Sequence, residues 1–213
     1  MNKRKKIFCL LVVLLLVFGL FGCDEEDNEE RTTKTYVMEA EYINLDDIVG
    51  AGISSEMSGV NMIYGEGTKE EKNKGWSEGY YIGFTYSEGI SFDFEFTSDL
   101  KTRAAIIVRL GSEIGDITFD SSSLAVKLNG EAIEYEGILV QGSGMMDMVF
   151  QDFTITNNVE LLEGKNVISI EILDNDLRNG QIAGPMIDCI KVRTNAKLEW
   201  EEKLDNPDLR GAI

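Results

Sequence analysis

Ser91-Phe92-Asp93-Phe94-Glu95-Phe96 alternates polar and aromatic residues without a break, and Asn166-Val167-Ile168-Ser169-Ile170-Glu171-Ile172 repeats the pattern with aliphatic ones. Successive side chains of a strand point to opposite faces, so a period of two marks a half-buried strand. Working outward, further strand candidates are Tyr36 to Tyr42, Tyr80 to Phe84, Ala104 to Leu110, Leu124 to Leu128, Val149 to Ile155 and Met186 to Val192. Asn129-Gly130, directly after Val126-Lys127-Leu128, supplies the two positive-φ positions of a tight hairpin turn. No long segment has a 3.6-residue period and there is no internal repeat. About eight or nine short strands separated by Gly, Asn, Asp and Ser predict an all-β sandwich, with a barrel as the alternative.

The N-terminus follows a different grammar. Lys3, Arg4, Lys5 and Lys6 precede an apolar run from Ile7 to Phe21 that is short for a membrane span, as in a signal peptide. The run ends Leu20-Phe21-Gly22-Cys23, which resembles a lipobox. The expectation is a signal peptide over residues 1–22 and a lipidated Cys23 that anchors the rest to the outer face of a cell membrane. An uncleaved anchor helix or a plain secretory signal is the alternative, and both also place the domain outside the cytoplasm. Residues 23–35 open with Asp24-Glu25-Glu26-Asp27-Asn28-Glu29-Glu30, a self-repelling acidic block with nothing to bury, and read as a linker.

Charge and residue types exclude whole classes of chemistry. Removing the signal peptide takes four of the 20 basic residues and none of the 38 acidic ones, so the net charge moves from −18 to −22. Such a chain repels nucleic acid and anionic lipid. Histidine is absent, which rules out Ser-His-Asp and Cys-His catalysis and removes the commonest zinc ligand. The three cysteines are Cys9, Cys23 and Cys189, so the mature domain has no intramolecular disulfide. Cys189, with nothing electropositive beside it in sequence, is expected to be a buried structural thiol.

The order of the pieces says more than their composition. Met38-Glu39-Ala40-Glu41 opens the series, followed by Gly79-Tyr80-Tyr81-Ile82-Gly83 and Val108-Arg109. Next come Val126-Lys127-Leu128-Asn129-Gly130, then Leu161-Leu162-Glu163-Gly164-Lys165-Asn166-Val167-Ile168, and finally Gly184-Pro185-Met186-Ile187-Asp188-Cys189-Ile190. In this order the chain resembles family 6 and family 35 carbohydrate-binding modules over residues 36–194, with 195–213 as a C-terminal tail. The resemblance implies a single jelly-roll β-sandwich that is not an enzyme, binds a polysaccharide or other glycan, and is monomeric.

It also implies a structural calcium ion at Glu39, Glu41 and Asp188. Residues two apart on a strand share a face, so Glu39 and Glu41 would present their carboxylates together to a hard cation. The alternative for this pair is the solvent face of an edge strand. For the glycan, Trp76 lies in a Gly- and charge-rich stretch, where an indole is either a stacking platform or a lid over the core. Tyr64 and Tyr81 are the accompanying candidates, Tyr81 being the one of Tyr80 and Tyr81 expected to face the cleft.

Asp174-Asn175-Asp176-Leu177-Arg178-Asn179-Gly180 fails as an EF-hand loop, because Arg178 takes the fifth position, glycine comes one residue late and Pro185 takes the twelfth. It is read as a polar loop forming one wall of the cleft, with Asn179 as a ligand contact, or as a plain surface turn. Two positions depart from the family pattern. Met186 stands where an asparagine usually bonds the sugar, and Met148, Phe150 and Phe153 stand where a second tryptophan is common. A methionine offers contact but no amide. Beside the lipid-anchored carbohydrate-binding module, two readings stay open: a protein-interaction sandwich, and the N-terminal module of a longer glycoside hydrolase. The tail from Leu198 is then either a linker stub or a segment packed on the sandwich through Leu198 and Trp200.

Overall fold

In the computed structural model the described residues are 31–40, 43, 61–64, 80–83, 85–112, 115–142, 149–174 and 184–201. The chain divides into two units, Met1–Arg31 and Thr32–Ile213, and every strand described belongs to the second. In chain order these are β1 (Lys34–Glu39), β2 (Asn61–Tyr64), β3 (Tyr80–Gly83), β4 (Ser91–Ser98), β5 (Thr102–Gly111), β6 (Ile117–Phe119) and β7 (Leu124–Leu128). They continue as β8 (Glu131–Ala132), β9 (Ile138–Val140), β10 (Gln151–Leu161), β11 (Gly164–Ile172), β12 (Met186–Thr194) and β13 (Leu198–Glu199). Among the described residues no helix is long and apolar enough to cross a membrane.

Two sheets face each other. The larger runs β10-β5-β12-β3-β2, with β1 also paired to β12, and the other runs β13-β4-β11-β7-β8. From β3 onward the principal strands alternate between them: β3, β5, β10 and β12 in the larger sheet, β4, β7, β11 and β13 in the other. This alternation makes the sandwich a jelly roll. Every pairing between named strands is antiparallel.

The two quoted stretches are neighbours. β4 and β11 pair so that Phe94 lies opposite Ile168 and Phe92 opposite Ile170. Phe92, Phe94, Phe96, Ile168, Ile170 and Ile172 are all buried in the core, where they meet Ile106, Val108, Leu110, Ile190 and Val192 from the larger sheet. Asp93, Glu95 and Thr97 face water, as the period of two requires. β12 sits between β5 on one side and β1 and β3 on the other, and is buried at almost every position. The Asn129-Gly130 turn joins β7 to β8 with φ of 53° and 84°, the double positive-φ geometry that asparagine and glycine tolerate.

Each expected strand is present, and five more are added. β2, β6, β8, β9 and β13 are two to four residues long, too short for a period to be read from sequence. Val149 to Ile155 is instead Gln151–Leu161. Register shifts between Thr154 and Thr156 and between Thr156 and Val159 interrupt its alternation and hide its length. The sandwich also runs past residue 194, since β13 pairs with β4. Leu198 is buried there, and the partly buried Trp200 meets Tyr36 edge-on at 6.2 Å. The start of the tail is therefore packed on the sandwich; residues 202–213 lie outside the described residues.

Candidate cation site and ligand surface

An irregularity in β12 builds the site. Its pairing with β5 shifts register between Ile187 and Cys189, which leaves Asp188 as an extra residue. Ile187 and Ile190 both belong to the core, so the two residues between them share the outer face of the sheet. A regular strand would have sent Asp188 and Cys189 to opposite sides.

The registers line up a row across four strands of that face. Asp152 of β10 lies opposite Arg109 of β5, Arg109 opposite Cys189 of β12, and Cys189 opposite Glu39 at the end of β1. Donor atoms of Glu39, Asp188 and Cys189 all lie within 4.8 Å of one another. The three residues are 5%, 0% and 0% exposed, so this is an interior site and not a solvent face. Of the two readings of Glu39, the solvent-exposed edge is overturned by that burial.

One guanidinium is built in. Arg109 Nε lies 3.1 Å from Asp188 Oδ2, and its Nη1 donates to Asp152 Oδ1 at 2.6 Å. Lys191 Nζ donates to the other Asp152 oxygen at 2.7 Å. Burial works to raise the Asp152 carboxyl, but the bonds from Lys191 and Arg109 outweigh it and hold it below the ordinary aspartate value. A depressed folded-state value gives stability that is present above the unfolded value and lost as pH falls through the folded one. The urea midpoint is accordingly expected to drop on acidification below about pH 4, and Asp152→Asn to flatten that part of the profile.

Two buried carboxylates beside each other, with one guanidinium on Asp188, are an oxygen-donor pair of the kind a divalent cation takes. Of the expected donors Glu39 and Asp188 meet, and Cys189 brings a thiol to the same place. Proximity to Arg109 and Glu39 comes from strand pairing, so nothing in the local sequence of Cys189 announced it. Its burial is as expected. Glu41 lies outside the described residues.

A second, apolar cluster lies on the same outer face. Tyr81, Phe150 and Met186 are buried together, with the Tyr81 and Phe150 rings 5.1 Å apart at 56°. Gly111 makes room for them, because a Cβ there would come within 3.1 Å of Met186 Cε and 3.2 Å of the Phe150 ring. Tyr81, expected to face a cleft, is only 3% exposed and has no ring face open to a pyranose. Its neighbour Ile82 takes the core side, which leaves Tyr81 to fill the outer-face cluster. Tyr64 lies in β2 opposite Tyr80, and its backbone alone is described. Trp76, Asn179 and Cys23 lie outside the described residues. The structure thus brings together Glu39 with Asp188, and Tyr81 with Met186.

No family model matches this chain, and neither does any curated protein. Several solved structures are similar to it. A family 35 carbohydrate-binding module from Clostridium thermocellum is 14% identical at a TM-score of 0.44, covering 75% of this chain and 97% of that one. The corresponding module from Cellvibrio japonicus is 12% identical at a TM-score of 0.47, covering 79% and 98%. A Podospora anserina β-(1,4)-mannanase that joins a family 26 glycoside hydrolase to a family 35 module is 16% identical at 0.46, and this chain spans 27% of its length. The jelly-roll assignment of this chain rests on its own strand order.

Proposed function

We propose that this chain is a non-catalytic carbohydrate-binding module, tethered to the outer face of a membrane through lipid on Cys23, with a structural divalent cation, calcium in the modules it resembles, held by Glu39, Glu41 and Asp188. The observation that supports this reading best is the meeting of Glu39 and Asp188, which come from the first and last motifs of the series and lie buried together. Neither composition nor strand periodicity calls for that meeting. The resemblance does, because a shared ion would tie β1 to β12. Trp76, with Tyr64 and Asn179, supplies the glycan-contacting surface in this reading, and Tyr81, closed inside the apolar cluster, takes no part in it.

A glycan microarray with the purified chain, run in calcium and again in chelator, tests the proposal. Binding is expected in calcium, weakened by chelation and reduced at least about fivefold by Trp76→Ala, since an aromatic face packed on a ligand is worth on the order of 1 kcal/mol or more. A blank array from folded protein would favour the protein-interaction sandwich. One observation already points that way: Met186 is buried against Tyr81 and Phe150, so the place where the family carries a sugar-binding amide is filled with apolar atoms.

A further inference from the structure

We propose that Cys189 is a third protein ligand to the cation held by Glu39 and Asp188, and that the site takes a thiophilic divalent ion of the zinc class in preference to calcium. The inference rests on the reading that a cation occupies this place and specifies which kind. The bulge in β12 sets the Cys189 thiol beside the Asp188 carboxylate, and the β1 register sets it opposite Glu39. All three donor atoms fall within 4.8 Å of one another in a buried setting.

Calcium is a hard cation that collects six to eight oxygen ligands, and sulfur is not among them. Zinc is borderline-soft, needs only four ligands, and binds thiolate at about 2.3 Å and carboxylate at about 2.0–2.2 Å. Two carboxylates and a thiol supply three of the four, leaving one position for water. Drawing the donors around such an ion requires them to close by only about 1 Å, within the reach of side-chain rotation. Arg109 stays outside as the group that orients Asp188, its own position fixed by Asp152. On binding, the sulfur–hydrogen bond is exchanged for a sulfur–metal bond and the proton leaves to the buffer. No oxidation is involved.

The test uses the full chain with Cys9→Ser and Cys23→Ser, so that Cys189 is its single thiol, and cadmium as the spectroscopic probe. A cadmium–thiolate charge-transfer band in the ultraviolet is expected to saturate at one equivalent and to vanish when Cys189→Ser or Cys189→Ala is added. Zinc is expected to raise the Tm of chelator-treated protein more than calcium does, and its affinity to fall by more than about 100-fold in both variants, since loss of an outer-shell partner alone costs 10–100-fold. Circular dichroism shows whether each variant is folded, and either one suffices. If no band forms while calcium raises Tm equally with and without Cys189, the thiol is not a ligand and the calcium reading stands. If neither ion raises Tm nor binds, the cation reading fails and this proposal with it.

Discussion

Asn166→Ala is expected to lower the unfolding free energy by about 3 kcal/mol, read from the urea midpoint at unchanged slope. Asn166 is fully buried, and its carboxamide is used at every position. Oδ1 accepts from the Leu162 backbone N–H at 2.9 Å and from Asn129 Nδ2 at 3.1 Å, while Nδ2 donates to the carbonyls of Leu162 at 2.8 Å and Gly164 at 3.0 Å. The residue thereby clips the connection from β10 to β11, where Gly164 has a φ of 86°, onto the Asn129-Gly130 turn between β7 and β8. Asn129 in turn accepts the Val167 N–H at 2.9 Å.

Truncation removes four hydrogen bonds worth about 0.5–1.5 kcal/mol each, and strands backbone groups whose desolvation is then unrepaid. Asn166→Asp should be no better at neutral pH, because it places a carboxylate against two carbonyl oxygens in place of two donors. A loss below about 1 kcal/mol for the alanine variant would mean that water takes over these contacts.

Arg109→Met is expected to cost about 3–4 kcal/mol in metal-free protein, because it strips the guanidinium from a carboxylate that is 0% exposed. Methionine keeps the apolar stem and length, so the loss reports charge and hydrogen bonding more than packing. Asp152→Asn breaks only the outer end of the same chain, where the carboxylate is 44% exposed, and should cost about 0.5 kcal/mol. The two variants separate the buried half of the network from the solvated half.

Arg109→Met also probes the cation. An ion that binds the native state stabilises by a term that grows with the logarithm of its concentration. A saturating divalent ion should therefore restore part of the loss in Arg109→Met, and in greater measure than it stabilises the parent, because it supplies the missing positive charge beside Asp188. Equal increments in both proteins would show that the ion and the guanidinium act on separate groups.

The sandwich was legible because its evidence is local. β4 and β11 alternate strictly, β7 is bounded by an Asn-Gly turn, and one-sided burial imposes a two-residue period that any reader of the chain can follow. β10 runs beyond its visible alternation because two register shifts break that period, and β13, at two residues, carries no period at all. The joining of Glu39 with Asp188 came from the resemblance and not from any pattern in the residues between them.

What sequence alone determined, then, is the all-β class, most strand positions, the hairpin turn, the absence of histidine chemistry and the strong negative charge. These follow from residue types and nearest neighbours along the chain. The tertiary structure decided which side Asp188 and Cys189 face, that a thiol shares the carboxylate site, that Arg109 is the cation held against it, and that Tyr81 lies inside a small apolar cluster and not on an open surface. Each of those depends on a register between strands distant in sequence, and a single bulge in β12 changes the outcome. A one-residue slip sends side chains to the opposite face of a sheet, so these placements exist only once the strands have paired.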